Sequence, residues 1–169
     1  MNPRKARIKI VKSRAAGWLA NPIASCLGLG YVPVAPGTAG SLGALAVAAL
    51  LVEYRGWGRA DFALLAGLSL APGIWAAHYV ATTTARKDPR DIVVDEAIGQ
   101  WVTLAGATAF NWKSWLAALV LFRFFDIVKP PPVRQLEALH GGLGIVADDV
   151  AAGLLGALVL FAAGWFNLY

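Results

Sequence analysis

Charge is scarce in this chain. Asp, Glu, Lys and Arg make up 15 % of its 169 residues, against about 25 % in an ordinary soluble domain. Cysteine is scarcer still. Cys26 stands alone, which excludes a disulfide framework and a cysteine-built metal site. It reads as a small core residue. There are two histidines, His78 and His140, too few for a zinc-rich hydrolase site. His78 lies between Trp75 and Tyr79 and reads as structural or interfacial. Internal repeats and low-complexity tracts are missing too.

Apolar sequence is what the chain has in quantity. Hydrophobic residues make up 58 %, the mean hydropathy is +0.59, and seven Trp suit interfacial aromatic belts. The length suits one domain, residues 1–169, with a basic start over residues 1–14. A spanning helix needs about 20 apolar residues. Five segments approach this: Gly40 to Tyr54, Asp61 to Ala81, Ala97 to Phe110, Trp115 to Val128 and Val150 to Phe166. The expected fold is all-α, a membrane helical bundle of four to five segments. Residues 15–36, rich in Gly and Pro, are expected to form an amphipathic or re-entrant stretch. No clean apolar core follows the basic start, so it reads as a retained cytoplasmic segment.

Charge placement sets the orientation. With a cytoplasmic N-terminus and five crossings, 12 of the 15 Lys and Arg fall inside. Only Arg55, Arg59 and Lys113 fall outside, as the positive-inside rule requires. The net charge of +5 points to anionic lipid headgroups. Nucleic acid is a poor partner, because the basic residues gather on no single amphipathic surface. The acids sort the same way. Asp88, Asp91, Asp95, Glu96, Asp126, Glu137, Asp148 and Asp149 lie inside, and Glu53 and Asp61 outside.

Four motifs carry chemistry. Asp95 and Glu96 sit at the start of an apolar helix, where the helix dipole favours carboxylates and a hard divalent cation finds oxygen ligands. In Phe122-Arg123-Phe124-Phe125-Asp126-Ile127-Val128-Lys129-Pro130, Arg123 and Asp126 share a helix face. Ionisable residues in such apolar sequence are functional candidates, although the two can also serve simply to join helices. In His140-Gly141-Gly142 through Asp148-Asp149, a glycine-rich turn leads to an acidic pair. One Asp of the pair is explained as an N-cap and the other is not. His140 reads as a phosphate contact, an acid/base group or a loop residue. In Pro36-Gly37-Thr38-Ala39-Gly40-Ser41, Thr38 and Ser41 either cap the first apolar helix or bond a phosphate at its N-terminus.

Together these loops bring carboxylates to one side of the membrane, beside Arg123, Lys129 and Arg134. Carboxylates holding Mg2+ next to cations that clamp phosphate is the layout of phosphoryl chemistry. Other phosphatase chemistries fail by absence. Val32, not an arginine, stands six residues after Cys26, and no Asp-x-Asp occurs. A small transporter would use intramembrane charges too, but near the midplane and with a repeat. A membrane scaffold would not need so many carboxylates facing one compartment.

The four motifs, in this order and spanning roughly residues 28 to 155, resemble the phosphatidylglycerophosphatase A family of bacterial membrane enzymes. The resemblance implies Mg2+-dependent removal of the terminal phosphate of phosphatidylglycerophosphate, a step of phospholipid synthesis at the inner membrane. The metal ligands are then expected among Asp95, Glu96, Asp126, Asp148 and Asp149, with Asp88 a weaker candidate. Arg123 and Lys129 are expected on the phosphate oxygens, and Thr38, His140 and Arg134 as further substrate contacts. The catalytic set is Asp95, Glu96, Asp126, Asp149 and Lys129. A phosphatase for another lipid phosphate is the alternative of the same class. Oligomeric state is open.

Overall fold

The structure is a computed structural model that describes residues 16–86 and 89–169. The basic residues Arg4 to Arg14, together with Lys87 and Asp88, lie outside the described residues. Within them every regular element is helical. Residues 16–24 form α1, and a short 3-10 turn follows at Leu29–Tyr31. Then come α2 (Pro36–Arg55), α3 (Arg59–Thr84), α4 (Val94–Leu104), α5 (Trp112–Val128), α6 (Val133–Leu136) and α7 (Gly142–Trp165).

Local chemistry explains the helix ends. Pro36 opens α2, where its fixed φ costs nothing. Gly56 closes it in the left-handed region at φ 65°. The Asp61 carboxylate accepts from the Gly58 N–H at 2.8 Å to cap α3. Asn111 caps α5 by accepting from the N–H groups of Lys113 and Ser114. Because α2 begins at Pro36, Thr38 and Ser41 lie within it and are not its caps. The Ser41 hydroxyl donates back to the Gly37 carbonyl. Likewise α7 begins at Gly142, two turns ahead of Val150, so neither Asp148 nor Asp149 is an N-cap.

Among the described residues α2, α3 and α7 are long and apolar enough to cross a membrane. Their outward Leu50, Leu68 and Leu158 are more than half exposed, which is stable in hydrocarbon and a liability in water. At 17 residues, α5 runs about 25 Å. The third expected span does not form as drawn. Instead of one run from Ala97 to Phe110, α4 is an 11-residue helix, about 16 Å long, followed by a turn. It is the bundle's core: Val94, Asp95, Ala97, Ile98, Gly99, Gln100, Thr103 and Leu104 are all buried.

Helices α4 and α7 pack backbone to backbone. A β-carbon on Gly153 would run into the Gly99 carbonyl oxygen, and one on Gly99 would lie 2.7 Å from the Asp149 carbonyl oxygen and strike the Phe122 ring. The Thr103 hydroxyl donates to the Gly153 carbonyl at 3.2 Å across the same seam. This approach draws the first turn of α4 against the acidic turn of α7. Filling it is expected to separate them. Gly99→Val should cost about 1–3 kcal/mol through overpacking, read as a melting temperature several degrees lower in detergent. An unchanged melt would mean that the seam is slack.

Candidate active site

The first turns of α2 and α4, the last turn of α5 and the acidic stretch of α7 meet at one end of the bundle. Between them lies a cleft of about 230 Å³, lined by Asp95, Glu96, Asp126, Lys129, Asp148 and Asp149, and rimmed by Pro36, Arg90, Glu137 and Gly144 among others. The carboxylates approach from different helices. Oxygens of Asp95, Glu96 and Asp149 all lie within 4.8 Å of one another. Asp95 is 8 % exposed and Asp149 4 %. Gly37 makes the approach possible on the α2 side, since a β-carbon there would collide with Glu96 Oε1.

Neighbouring residues on a helix point about 100° apart, and that step divides the Asp pair. Asp149 faces Asp95 and Glu96. Asp148 faces Lys129, whose Nζ lies 2.7 Å from Asp148 Oδ2 and 3.3 Å from Glu137 Oε2. Lys129 ends α5 in the left-handed region at φ 48°, which turns its side chain back over α7. On the other flank, Arg123 Nη1 lies 2.7 Å from Asp126 Oδ2 and 3.9 Å from Glu96 Oε1. Each cation is thus held by carboxylates beside the cluster.

Burial disfavours the charged form of Lys129, but the hydrogen bond to Asp148 and the charges of Asp148 and Glu137 outweigh it and hold the ammonium above its usual range. Lys129 therefore stays protonated at neutral pH, and its contribution to stability is lost as pH rises through that raised value. Burial pushes the Cys26 thiol up to about 12, with the Glu96 charge adding to it. Its Sγ lies 3.6 Å from the Val93 carbonyl oxygen. Cys26 is therefore a poor nucleophile.

A divalent metal fits this donor set. Glu96 Oε2, Asp148 Oδ1 and Asp149 Oδ2 are buried without a hydrogen-bond partner, and orphaned acceptors are costly in a low-dielectric interior. Like charges this close repel, and a hard cation both satisfies the oxygens and cancels the repulsion.

The remaining expected site residues lie apart from the cluster. Thr38 is partly buried in the first turn of α2 and does not line the cleft, and Arg134 and His140 are exposed and do not line it either. His78 sits under the start of α7, where the Gly142 N–H donates to its Nδ1 at 3.5 Å. Asp88 lies outside the described residues. Two charged lining residues, Glu137 and Arg90, stand outside the expected site set. Glu137 reaches Lys129 only because α6 folds back on α7, and Arg90 stands in a turn of unremarkable sequence.

The family model described as Phosphatidylglycerophosphatase A matches residues 22–164. The protein Phosphatidylglycerophosphatase A of Escherichia coli is 34 % identical over 159 residues, 92 % of this chain and 90 % of the relative. Its Haemophilus influenzae namesake is 36 % identical, covering 89 % and 93 %. A Bacteroides thetaiotaomicron protein, provisionally named a phosphatidylinositol-3-phosphatase, is 37 % identical, covering 85 % and 92 %. No solved structure matches.

Proposed function

The chain belongs to the phosphatidylglycerophosphatase A family, and on that premise we propose that it hydrolyses the terminal phosphomonoester of phosphatidylglycerophosphate, using Mg2+, at the cytoplasmic face of a bacterial inner membrane. The observation that carries this reading is the buried meeting of Asp95, Glu96 and Asp149 between two carboxylate-held cations, at one end of an apolar bundle. The whole chain acts as one domain. Lipid tails stay beside the apolar helix faces while the headgroup enters the cleft.

Asp95, Glu96 and Asp149 would hold the metal, with Asp126 and Asp148 next to it. Bound there, Mg2+ supplies Lewis-acid polarisation of the phosphoryl group and a more acidic water. The chain's own residues do the rest. Arg123 and Lys129 neutralise non-bridging phosphoryl oxygens. Asp126 and Asp148 fix where those cations point, so little reorganisation is needed when charge builds up. In hydrolysis a water oxygen bonds to phosphorus, the ester P–O bond breaks, and the headgroup glycerol leaves as the alcohol with a proton. A carboxylate of the cluster accepts a proton from the attacking water and passes it on to the departing glycerol oxygen. Thr38, His140 and Arg134 contribute only if the headgroup extends beyond the cleft.

The test is phosphate release from phosphatidylglycerophosphate in detergent, with Mg2+ and with EDTA. Release is expected with the metal and is expected to fall to background when it is chelated. No release from folded protein with metal present would remove this substrate. The name of the Bacteroides relative favours a second reading, a phosphoinositide monoester. A panel containing phosphatidylinositol 3-phosphate and phosphatidate separates the two.

A further inference from the structure

Six carboxylates line the cleft against two cations, Arg90 and Lys129. A lipid with a second phosphate needs a further positive charge beyond the two held beside the carboxylate cluster. Lys129 is engaged by Asp148 and Glu137, and Arg123, beside the cleft, by Asp126. Arg90 makes no ion pair among the described residues.

Its backbone is fixed although its side chain is exposed. Arg90 occupies a turn closed by the Ile92 N–H donating to the Pro89 carbonyl at 3.0 Å. Pro89 and Ile92 on either side are buried. The next residue, Val93, donates to the Ala24 carbonyl at 2.8 Å. The turn therefore presents a guanidinium at the rim, while Asp95 and Asp149 of the carboxylate cluster lie deeper, 8 % and 4 % exposed.

An exposed cation above buried carboxylates suits a headgroup carrying two phosphates. The phosphomonoester to be cleaved must reach the buried carboxylates. The phosphodiester, one glycerol away and nearer the acyl chains, is left at the rim. We propose that Arg90 binds the phosphodiester of the substrate and so selects a lipid with a second phosphate over one with a monoester alone. Its planar fork suits two phosphate oxygens at once. The proposal rests on the lipid-phosphatase reading above.

The test uses the full chain in detergent micelles, with two inhibitors of phosphatidylglycerophosphate hydrolysis. Phosphatidylglycerol carries the phosphodiester only, and orthovanadate mimics the monoester only. For Arg90→Gln, KM and the inhibition constant of phosphatidylglycerol are expected to rise by roughly tenfold or more, the worth of a charge-assisted hydrogen bond. The vanadate constant and the thermal melt should stay put, and kcat should fall no more than about twofold. Arg90→Lys should recover part of the loss. Equal weakening of both inhibitors, an unchanged phosphatidylglycerol constant, or failure of phosphatidylglycerol to inhibit the wild type would overturn the proposal. Wild-type protein that releases no phosphate from this lipid overturns the underlying reading instead, before any variant is made.

Discussion

Asp149→Asn is expected to reduce phosphate release to background while the protein still inserts and folds. The loss should exceed the roughly 100-fold typical of a residue that only supports a metal ligand. Asp149 is buried on α7, its Oδ2 lacks a partner, and its carboxylate meets Asp95 and Glu96 within 4.8 Å. The amide keeps the shape and removes one of several mutually repelling charges. The metal-free variant should therefore melt at or above the wild-type temperature. Wild type should gain thermal stability on adding Mg2+, by the linkage that stabilises any protein whose folded state binds a ligand. The variant should lose most of that gain. Normal turnover, or a metal-induced shift of wild-type size, would show that Asp149 is not a ligand.

Lys129→Met carries the second large effect, and it separates chemistry from folding. Removing the ammonium leaves Asp148, whose side chain is 6 % exposed, without its partner. Breaking a buried pair typically costs about 3–5 kcal/mol. Here the cost should fall toward the low end or below, because Lys129 is itself partly exposed. Activity should fall by about a hundredfold or more with the loss of a preorganised cation on the phosphoryl oxygens. The double variant Lys129→Met with Asp148→Asn should recover most of the stability and none of the activity. If it recovers both, Lys129 is only a partner for Asp148.

Several features were legible because they are local. Arg123 and Asp126 stand three residues apart on a helix, and a helix places such residues side by side wherever it sits. The i,i+3 spacing placed the two on one face, where the structure pairs them at 2.7 Å. The four apolar stretches outside α4 correspond to α2, α3, α5 and α7 for the same reason, since apolar runs and helix-end signals are properties of neighbouring residues. The choice of one membrane side for the carboxylates followed from their positions between those runs.

Other features depended on contacts distant in sequence. Lipid tails are as apolar as a protein interior, so composition alone does not distinguish a helix facing lipid from one enclosed by its neighbours. That is why the stretch after Ala97 read as a span while α4 is the buried centre. The two aspartates of α7 are adjacent in sequence and look equivalent. Only the helical step between them, with α4 on one side and Lys129 on the other, sends Asp149 to the carboxylate cluster and Asp148 to an ion pair. Glu137 and Arg90 join the cleft through the packing of α6 and of the turn before α4, which no periodicity encodes.

By itself the sequence determined the all-helical architecture with apolar helices long enough to span a membrane, the gathering of the acidic motifs at one end of it, and the family they resemble. These rest on local periodicity, hydropathy and charge order along the chain. The tertiary structure alone decided which carboxylates meet, which are paired off by cations, and which lining cation makes no ion pair among the described residues. Those outcomes depend on the glycine seam between α4 and α7, where backbones approach as closely as side-chain volume allows. Volume across a seam is a property of two segments together.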